Sequence, residues 1–537
     1  MNHTGKRVSV YDTTLRDGTQ GEGVSFSSQD KIRIAHKLDE FGVDYIEGGW
    51  PGSNPKDVEF FDLAAKETWQ RAKVAAFGST RRANMPVEED PQVALLLAAK
   101  TPVITIFGKS WELHVTEVLR TTVEENQAMI RDTVRYLKSQ DREVIYDAEH
   151  FFDGYKDSPE HALATLLAAE EGGADTIVLC DTNGGTMINE IDEITRAVIE
   201  ALSTPVGIHT HDDAGLGVAN ALASILAGSV QVQGTINGYG ERTGNCNLST
   251  IIPNLQLKYG MELVPDLTKI KQLSNFVDDM ANCAHNTRAP YIGATCFSHK
   301  GGMHVNAVQK LARTYEHIEP EQVGNRQHIL ISELSGRSNI LMKAAELGLE
   351  LDKGSPEVLQ ILEHLKRLEK EGYEFEAAEA SFELLIRKVL NHHRSFFELL
   401  EFHNTFRQHG KDLYRTCEST VKLKVGDQRE YMVAEGNGPV AALDNALRKA
   451  LVPFYPEMDR ITLTDYKVRI IDSHTGTAAR TRVLIVSTDG KTSWDTVGVS
   501  ENIIEASWQA LVDSYEFYLT KHTSHEGIPA DAEPLLA

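Results

Sequence analysis

Eight short β-branched runs, each followed by a stretch with apolar residues at a period near 3.6, fill the first half of the chain. The runs are Val8–Tyr11, Tyr45–Glu47, Val74–Phe77, Val103–Phe107, Val144–Asp147, Thr176–Cys180, Val206–His209 and Val230–Ile236. The helical stretches between them extend from Gln29–Phe41 to Asn247–Tyr259. The runs show little polar alternation, which marks strands buried on both faces of a parallel sheet. Eight such units in about 250 residues is the arithmetic of a (β/α)8 TIM barrel. An open doubly wound sheet is the other arrangement, because strand order leaves no trace in the pattern.

The barrel pattern occupies residues 1–265. Residues 266–412 read as helical linker subdomains, with helical periods over Asp266–Cys283 and Pro356–Leu390 and a Gly- and His-bearing loop between them. Residues 413–522 read as a C-terminal α+β domain with strands at Thr420–Val425, Glu430–Val433, Lys467–Ile471, Thr481–Ser487 and Trp494–Val499. A shift of 64 residues carries Val433, Val440, Ala442 and Ala446 onto Val497, Ile504, Ala506 and Ala510, which predicts a duplicated strand–strand–helix unit. Residues 523–537 read as a flexible tail.

Composition excludes several classes. With 54 Lys and Arg against 78 Asp and Glu, the net charge of −24 argues against nucleic acid or an anionic membrane as partner. Five scattered cysteines without a C-x-x-C give neither a disulfide framework nor a zinc ribbon, as expected in the reducing cytoplasm. Met1 to Arg7 lacks the apolar segment of a secretory signal, and no apolar run reaches membrane-spanning length.

Chemistry concentrates at the strand ends. His209 and His211 close the seventh strand two residues apart, so both imidazoles share one face. They project from the C-terminal rim, where barrel enzymes keep their sites, and suit a divalent transition metal. Asp212 and Asp213 follow as ligands or their supports. Asp12-Thr13-Thr14-Leu15-Arg16-Asp17-Gly18 occupies the rim after strand one, where Asp17 is within reach of the same ion. The plain alternative is a solvated turn. Gly238-Tyr239-Gly240-Glu241-Arg242-Thr243-Gly244-Asn245 lacks dinucleotide-loop spacing and brings Asn245 to the rim as a further ligand. Glu47, Glu149 and Thr182 end strands two, five and six. Outside the barrel, Ser298-His299-Lys300-Gly301-Gly302-Met303-His304 is either a surface loop or a lid over the site.

Taken together, Asp12-Thr13-Thr14-Leu15-Arg16-Asp17-Gly18-Thr19-Gln20, His209-Thr210-His211-Asp212-Asp213 and Gly240-Glu241-Arg242-Thr243-Gly244-Asn245 resemble the signatures of the metal-dependent 2-isopropylmalate, homocitrate and citramalate synthases. Gly436-Asn437-Gly438-Pro439-Val440 resembles the start of that family's regulatory helix, so the resemblance covers nearly the whole chain. Glu47-Gly48-Gly49-Trp50-Pro51-Gly52-Ser53-Asn54-Pro55 looks like the citramalate branch, whose keto acid is pyruvate, where isopropylmalate synthases usually carry Glu-Val-Gly-Phe-Pro.

The resemblance implies a metal (Mn²⁺ or Mg²⁺, with Zn²⁺ or Co²⁺ as alternatives) on Asp17, His209 and His211 with Asn245 beside them. It implies Arg16 at the keto oxygen, Glu149 and Thr182 near the substrate, and His304 with Tyr315 reaching in from a partner subunit of a homodimer. Trp50, Phe77 and Phe107 are candidate walls of the acceptor pocket, with Glu47 beside them. The implied reaction condenses acetyl-CoA with pyruvate to (R)-citramalate, on a route to isoleucine, with isoleucine as feedback effector of the C-terminal domain. The rivals are 2-ketoisovalerate as acceptor, a lyase on the same barrel, and a non-catalytic ligand sensor. The family often has an acid two residues past the His304 position, where this chain has Asn306. Against the acidic net charge, binding of two anionic substrates is expected to rest on the metal, Arg16 and cations such as Arg81, Arg82 and Lys300.

Overall fold

The computed structural model describes residues 3–329, 337–349, 351–352, 354–409, 414–471 and 479–522. The expected tail at 523–537 lies outside them. The chain forms two units, one of Met1–Phe297 with His317–Gln327 and one of Ser298–Glu316 with His328–Ala537.

In the first unit, eight parallel strands close into a barrel in sequence order. They are β1 (Ser9–Asp12), β2 (Tyr45–Gly49), β3 (Lys73–Ser79), β4 (Val103–Lys109), β5 (Glu143–Glu149), β6 (Thr176–Asp181), β7 (Val206–Thr210) and β8 (Gln231–Gly234). Closure of β1 on β8, with Val10 opposite Val232, excludes the open sheet. Local chemistry sets the helix starts. Asn54 and Asp90 cap helices that begin with Pro55 and Pro91, and Ser27 forms a reciprocal capping box with Asp30. The helix expected over Asn247–Tyr259 is regular only over Leu248–Pro253, because Pro253 interrupts the hydrogen-bond ladder. A short helix at Phe151–Asp157 went unread; it follows His150, which takes a left-handed backbone conformation (φ 55°).

Apolar side chains between strands and helices form one large core. Inside the barrel, Tyr11, Ala75, Val103, Ile145 and Val178 pack together. Nearer the strand C-termini the interior becomes polar, with Glu47, Thr105, Asp147 and Gln233 all buried. The unit does not end at residue 265. The helix Ile270–Ala281 buries Ile270, Leu273 and Val277 in the barrel's own core, and its Asp278 accepts from Asn237 at 2.5 Å.

The second unit begins with a two-residue strand β9 (Ser298–His299), parallel to β10 (His328–Ile329), and the helix Gly302–Lys310. The helical stretch expected at Pro356–Leu390 is two helices, Pro356–Glu371 and Glu379–Val389. Gly372 ends the first with φ 111°, its N–H bonding Glu369 O. Two antiparallel sheets follow. One is β11 (Glu398–His409), β12 (Tyr414–Val425) and β13 (Gln428–Gly436), followed by the helix Pro439–Leu451. The other is β14 (Thr462–Ile470), β15 (Thr481–Thr488) and β16 (Ser493–Ser500), followed by the helix Ile503–His522.

The repeat is therefore three strands and a helix, not two strands and a helix. It begins before residue 413, because β11 already pairs with β12. The sequence pattern misses β11, whose polar-rich alternation carries few β-branched residues, and reads β14 only over its second half, Lys467–Ile471. The internal symmetry extends to irregularities. The pairing register slips at Leu399/Glu401 in one repeat and at Leu463/Asp465 in the other, which are equivalent under the 64-residue shift.

Candidate active site and metal centre

The turn after β1 is tight: the Thr13 carbonyl accepts the N–H groups of Arg16, Asp17 and Gly18. It aims two side chains at the rim. Asp17 Oδ2 lies 3.4 Å from His209 Nε2, and His209 Nε2 lies 3.3 Å from His211 Nε2. The ligand atoms of Asp17, His209 and His211 all fall within 4.8 Å of one another, and all three residues are buried. An isolated antiparallel bridge pairs His211 with Asn245, placing that side chain beside the cluster.

The donor set fits a divalent ion on several grounds. The Asn245 Oδ1 is buried and has no hydrogen-bond partner among the described residues. Burial and the neighbouring His209 push His211 down to about 3, so its imidazole is neutral with a free lone pair. Burial works to raise the Asp17 carboxyl, but Arg16, His209 and His211 outweigh it and hold the carboxyl below its ordinary range. An ionised carboxylate beside a neutral imidazole is the ligand chemistry such an ion requires.

Behind the cluster, His209 Nδ1 donates to Gln233 Oε1 at 2.9 Å, and Gln233 Nε2 donates to Asp147 Oδ1 at 3.1 Å. The amide thus leaves His209 Nε2 as the nitrogen with the lone pair facing the cluster. Neither Gln233 nor Asp147 was singled out from the sequence. The available signal was Gln231 and Gln233 alternating within an otherwise buried strand.

Arg16 is fixed from three sides. Its Nε donates to Glu47 Oε1 at 2.6 Å, its guanidinium meets Asp17 at 3.2 Å, and its Cζ sits over the Phe77 ring, 3.8 Å from the centroid. Glu47 is 0% exposed, and Tyr11 and Thr13 also donate to it. Its contacts make it the anchor of Arg16. Phe77 stacks on Phe107, and the Trp50 indole meets both rings edge-on at 6.0 and 5.6 Å. Lys109 lies over Phe107 and is ion-paired with Glu149 at the end of β5. Thr182 Oγ accepts the His150 N–H at 2.8 Å, and its carbonyl accepts from Arg242 at 2.8 Å.

His304 and Tyr315 belong to the second unit, where their rings stack at 4.2 Å. Met303 next to them is 82% exposed.

Other rim groups are committed elsewhere. Asp12 accepts from the N–H and hydroxyl of Thr14, Asp212 from Gly217 N–H, and Asp213 pairs with Arg242. Neither Asp212 nor Asp213 joins the ligand cluster. Arg81 is held by Glu125 and Asp132, and Lys300 by Glu376, so these two are not the open anion-binding cations expected. Among the described residues, no helix is long and apolar enough to cross a membrane.

Comparison with known proteins matches three family profiles along the chain: HMGL-like over residues 7–277, homocitrate synthase post-HMGL domain-like over 291–373, and LeuA allosteric (dimerisation) domain over 376–519. The (R)-citramalate synthase of Aquifex aeolicus is 56% identical over 97% of this chain and 99% of its own length. That of Geobacter sulfurreducens is 54% identical over 97% and 99%. The 2-isopropylmalate synthase of Methanocaldococcus jannaschii is 30% identical over 96% and 95%. The chain belongs to the family of (R)-citramalate, 2-isopropylmalate and homocitrate synthases, and within it to the citramalate synthase group.

Proposed function

We propose that the chain joins the acetyl group of acetyl-CoA to pyruvate and, with one water, releases (R)-citramalate and CoA. The observation that carries this reading is the buried Asp17, His209 and His211 cluster with Arg16 locked beside it, against an aromatic wall of Trp50, Phe77 and Phe107. A divalent ion such as Mn²⁺ or Mg²⁺ (Zn²⁺ and Co²⁺ are the alternatives) held by Asp17, His209, His211 and Asn245 would supply Lewis acidity and alignment for the keto acid.

Arg16 keeps its positive charge where the keto oxygen becomes an alkoxide, and Glu47 and Phe77 spare it reorganisation at that moment. The small methyl of pyruvate faces the aromatic wall. A base takes a proton from the acetyl methyl; Glu149, paired with Lys109, and His304, stacked on Tyr315, are the two candidates, with Thr182 near the substrate. The new carbon–carbon bond forms between that methyl carbon and the keto carbon. Water then cleaves the thioester, and the sulfur leaves as CoA. The acidic chain works as a homodimer in the cytoplasm, His304 and Tyr315 serving the site of the partner subunit, and isoleucine binds the C-terminal repeats as inhibitor.

The test is release of free CoA from acetyl-CoA with pyruvate in Mn²⁺ buffer, with and without isoleucine. Turnover that isoleucine lowers supports both parts. Turnover indifferent to isoleucine removes the regulatory part alone.

A further inference from the structure

Trp50 is held more firmly than a pocket wall at the end of a strand requires. Its backbone N–H donates to Asp57 Oδ2 at 2.8 Å, and its indole Nε1–H donates to Gln92 Oε1 at 3.2 Å. Its ring packs nearly at right angles to Phe77 and Phe107. Asp57 is itself fixed by the buried Lys31, 2.5 Å away, and by Asn54 at 3.2 Å.

The glycines around Trp50 follow from these contacts. A side chain at Gly48 would enter the Phe60 ring. One at Gly49, where φ is 153°, would enter the Asp57 carboxylate. One at Gly52 would enter the Gln92 amide. Two of the three glycines therefore leave space for the two groups that bind Trp50. The short segment Gly48-Gly49-Trp50-Pro51-Gly52 encodes a clamped tryptophan.

We infer that Gln92 is a positioning residue that sets acceptor size by locking the Trp50 indole, an inference that rests on the function proposed above. Phe77 carries Arg16 on its face and Phe107 carries Lys109. The indole closes the third side of this aromatic wall. An aromatic ring free to swing about its two torsions yields to one more methylene on the acceptor, whereas a ring tethered at its far nitrogen does not. Without the tether, discrimination against longer 2-keto acids falls because the wall moves, while Arg16 and the metal ligands stay in place.

The experiment measures kcat/KM for pyruvate, 2-ketobutyrate and 2-ketoisovalerate in the full-length enzyme with Mn²⁺, by release of free CoA. The variants are Gln92→Leu, which removes the acceptor oxygen at similar size, and Gly52→Ala, whose methyl displaces the amide. Gly52 lies outside the left-handed region, so the alanine brings no backbone strain. Gln92→Glu keeps an acceptor oxygen and serves as the conservative control.

The ratio of 2-ketobutyrate to pyruvate is expected to rise about tenfold or more in Gln92→Leu and Gly52→Ala, the scale of one methylene in a rigid pocket. It is expected to stay near the wild-type ratio in Gln92→Glu. Wild-type ratios in both Gln92→Leu and Gly52→Ala, with the wild type preferring pyruvate, would overturn the inference. A wild type that does not consume pyruvate overturns the proposed function instead.

Discussion

Gln233 Oε1 accepts a hydrogen bond from His209 Nδ1 at 2.9 Å, across the seam between β7 and β8. Its own amide is oriented by Asp147 on the far side of the barrel. Replacing Gln233 with leucine removes the group that selects the His209 tautomer. The expected outcome is a 10–100-fold weaker affinity for Mn²⁺ (order of magnitude, as for other groups that orient a metal-ligating histidine), read by calorimetric titration of the enzyme without substrates. Unchanged affinity would show that the seam bond is dispensable.

Asp17→Ala and His209→Ala each delete a member of the ligand cluster. Both are expected to abolish turnover and to lose the Mn²⁺-dependent rise in melting temperature, because an ion that binds only the folded state stabilises it. A variant that keeps the Mn²⁺ shift would remove its residue from the ligand set.

The ion pair between Lys31 and Asp57 is buried on both sides, with Lys31 also donating to the Gly48 carbonyl at 3.0 Å. Asp57→Ala leaves an ammonium without its partner and frees the Trp50 N–H. The expected loss is about 3–5 kcal/mol of stability, the usual result of breaking a buried pair from one side. Urea denaturation followed by tryptophan fluorescence measures it; a loss under about 1 kcal/mol would contradict it.

Asp12 gives a pH dependence of definite sign. Burial pushes its carboxyl up to about 7, with the hydrogen bonds from Thr14 opposing, against an ordinary value of 3.8. Between those values the folded chain binds the proton and the unfolded chain does not. The Asp12 contribution to stability is therefore full below about pH 4, falls as pH rises, and is lost above about pH 7. Asp12→Asn keeps the acceptor oxygen for Thr14 and is expected to flatten that part of the stability profile. Denaturation midpoints measured across this range check the difference between the two proteins.

How far such features can be read from sequence depends on the distance over which they are encoded. The strand-end addresses of Asp17, His209, Glu149 and Thr182 were legible because each is local: a residue a fixed number of places beyond an apolar run. The His209 and His211 pair was legible because strand period alone puts both on one face. Gln233, Asp147 and Gln92 were not, since each acts through a partner that only barrel closure or loop packing brings near. Arg81 shows the same limit from the other side. As a rim cation it promised an anion site, but Glu125 and Asp132 on the helix Val123–Ser139, after β4, claim it. β11 escaped notice because its stability lies in pairing with β12, not in its own composition.

The most direct measurement is an acceptor panel on the wild-type enzyme, with acetyl-CoA, Mn²⁺ and detection of free CoA. Pyruvate is expected to exceed 2-ketoisovalerate in kcat/KM by orders of magnitude, with activity lost on chelation and restored by Mn²⁺. Equal or better turnover of 2-ketoisovalerate would contradict the assignment of pyruvate as acceptor.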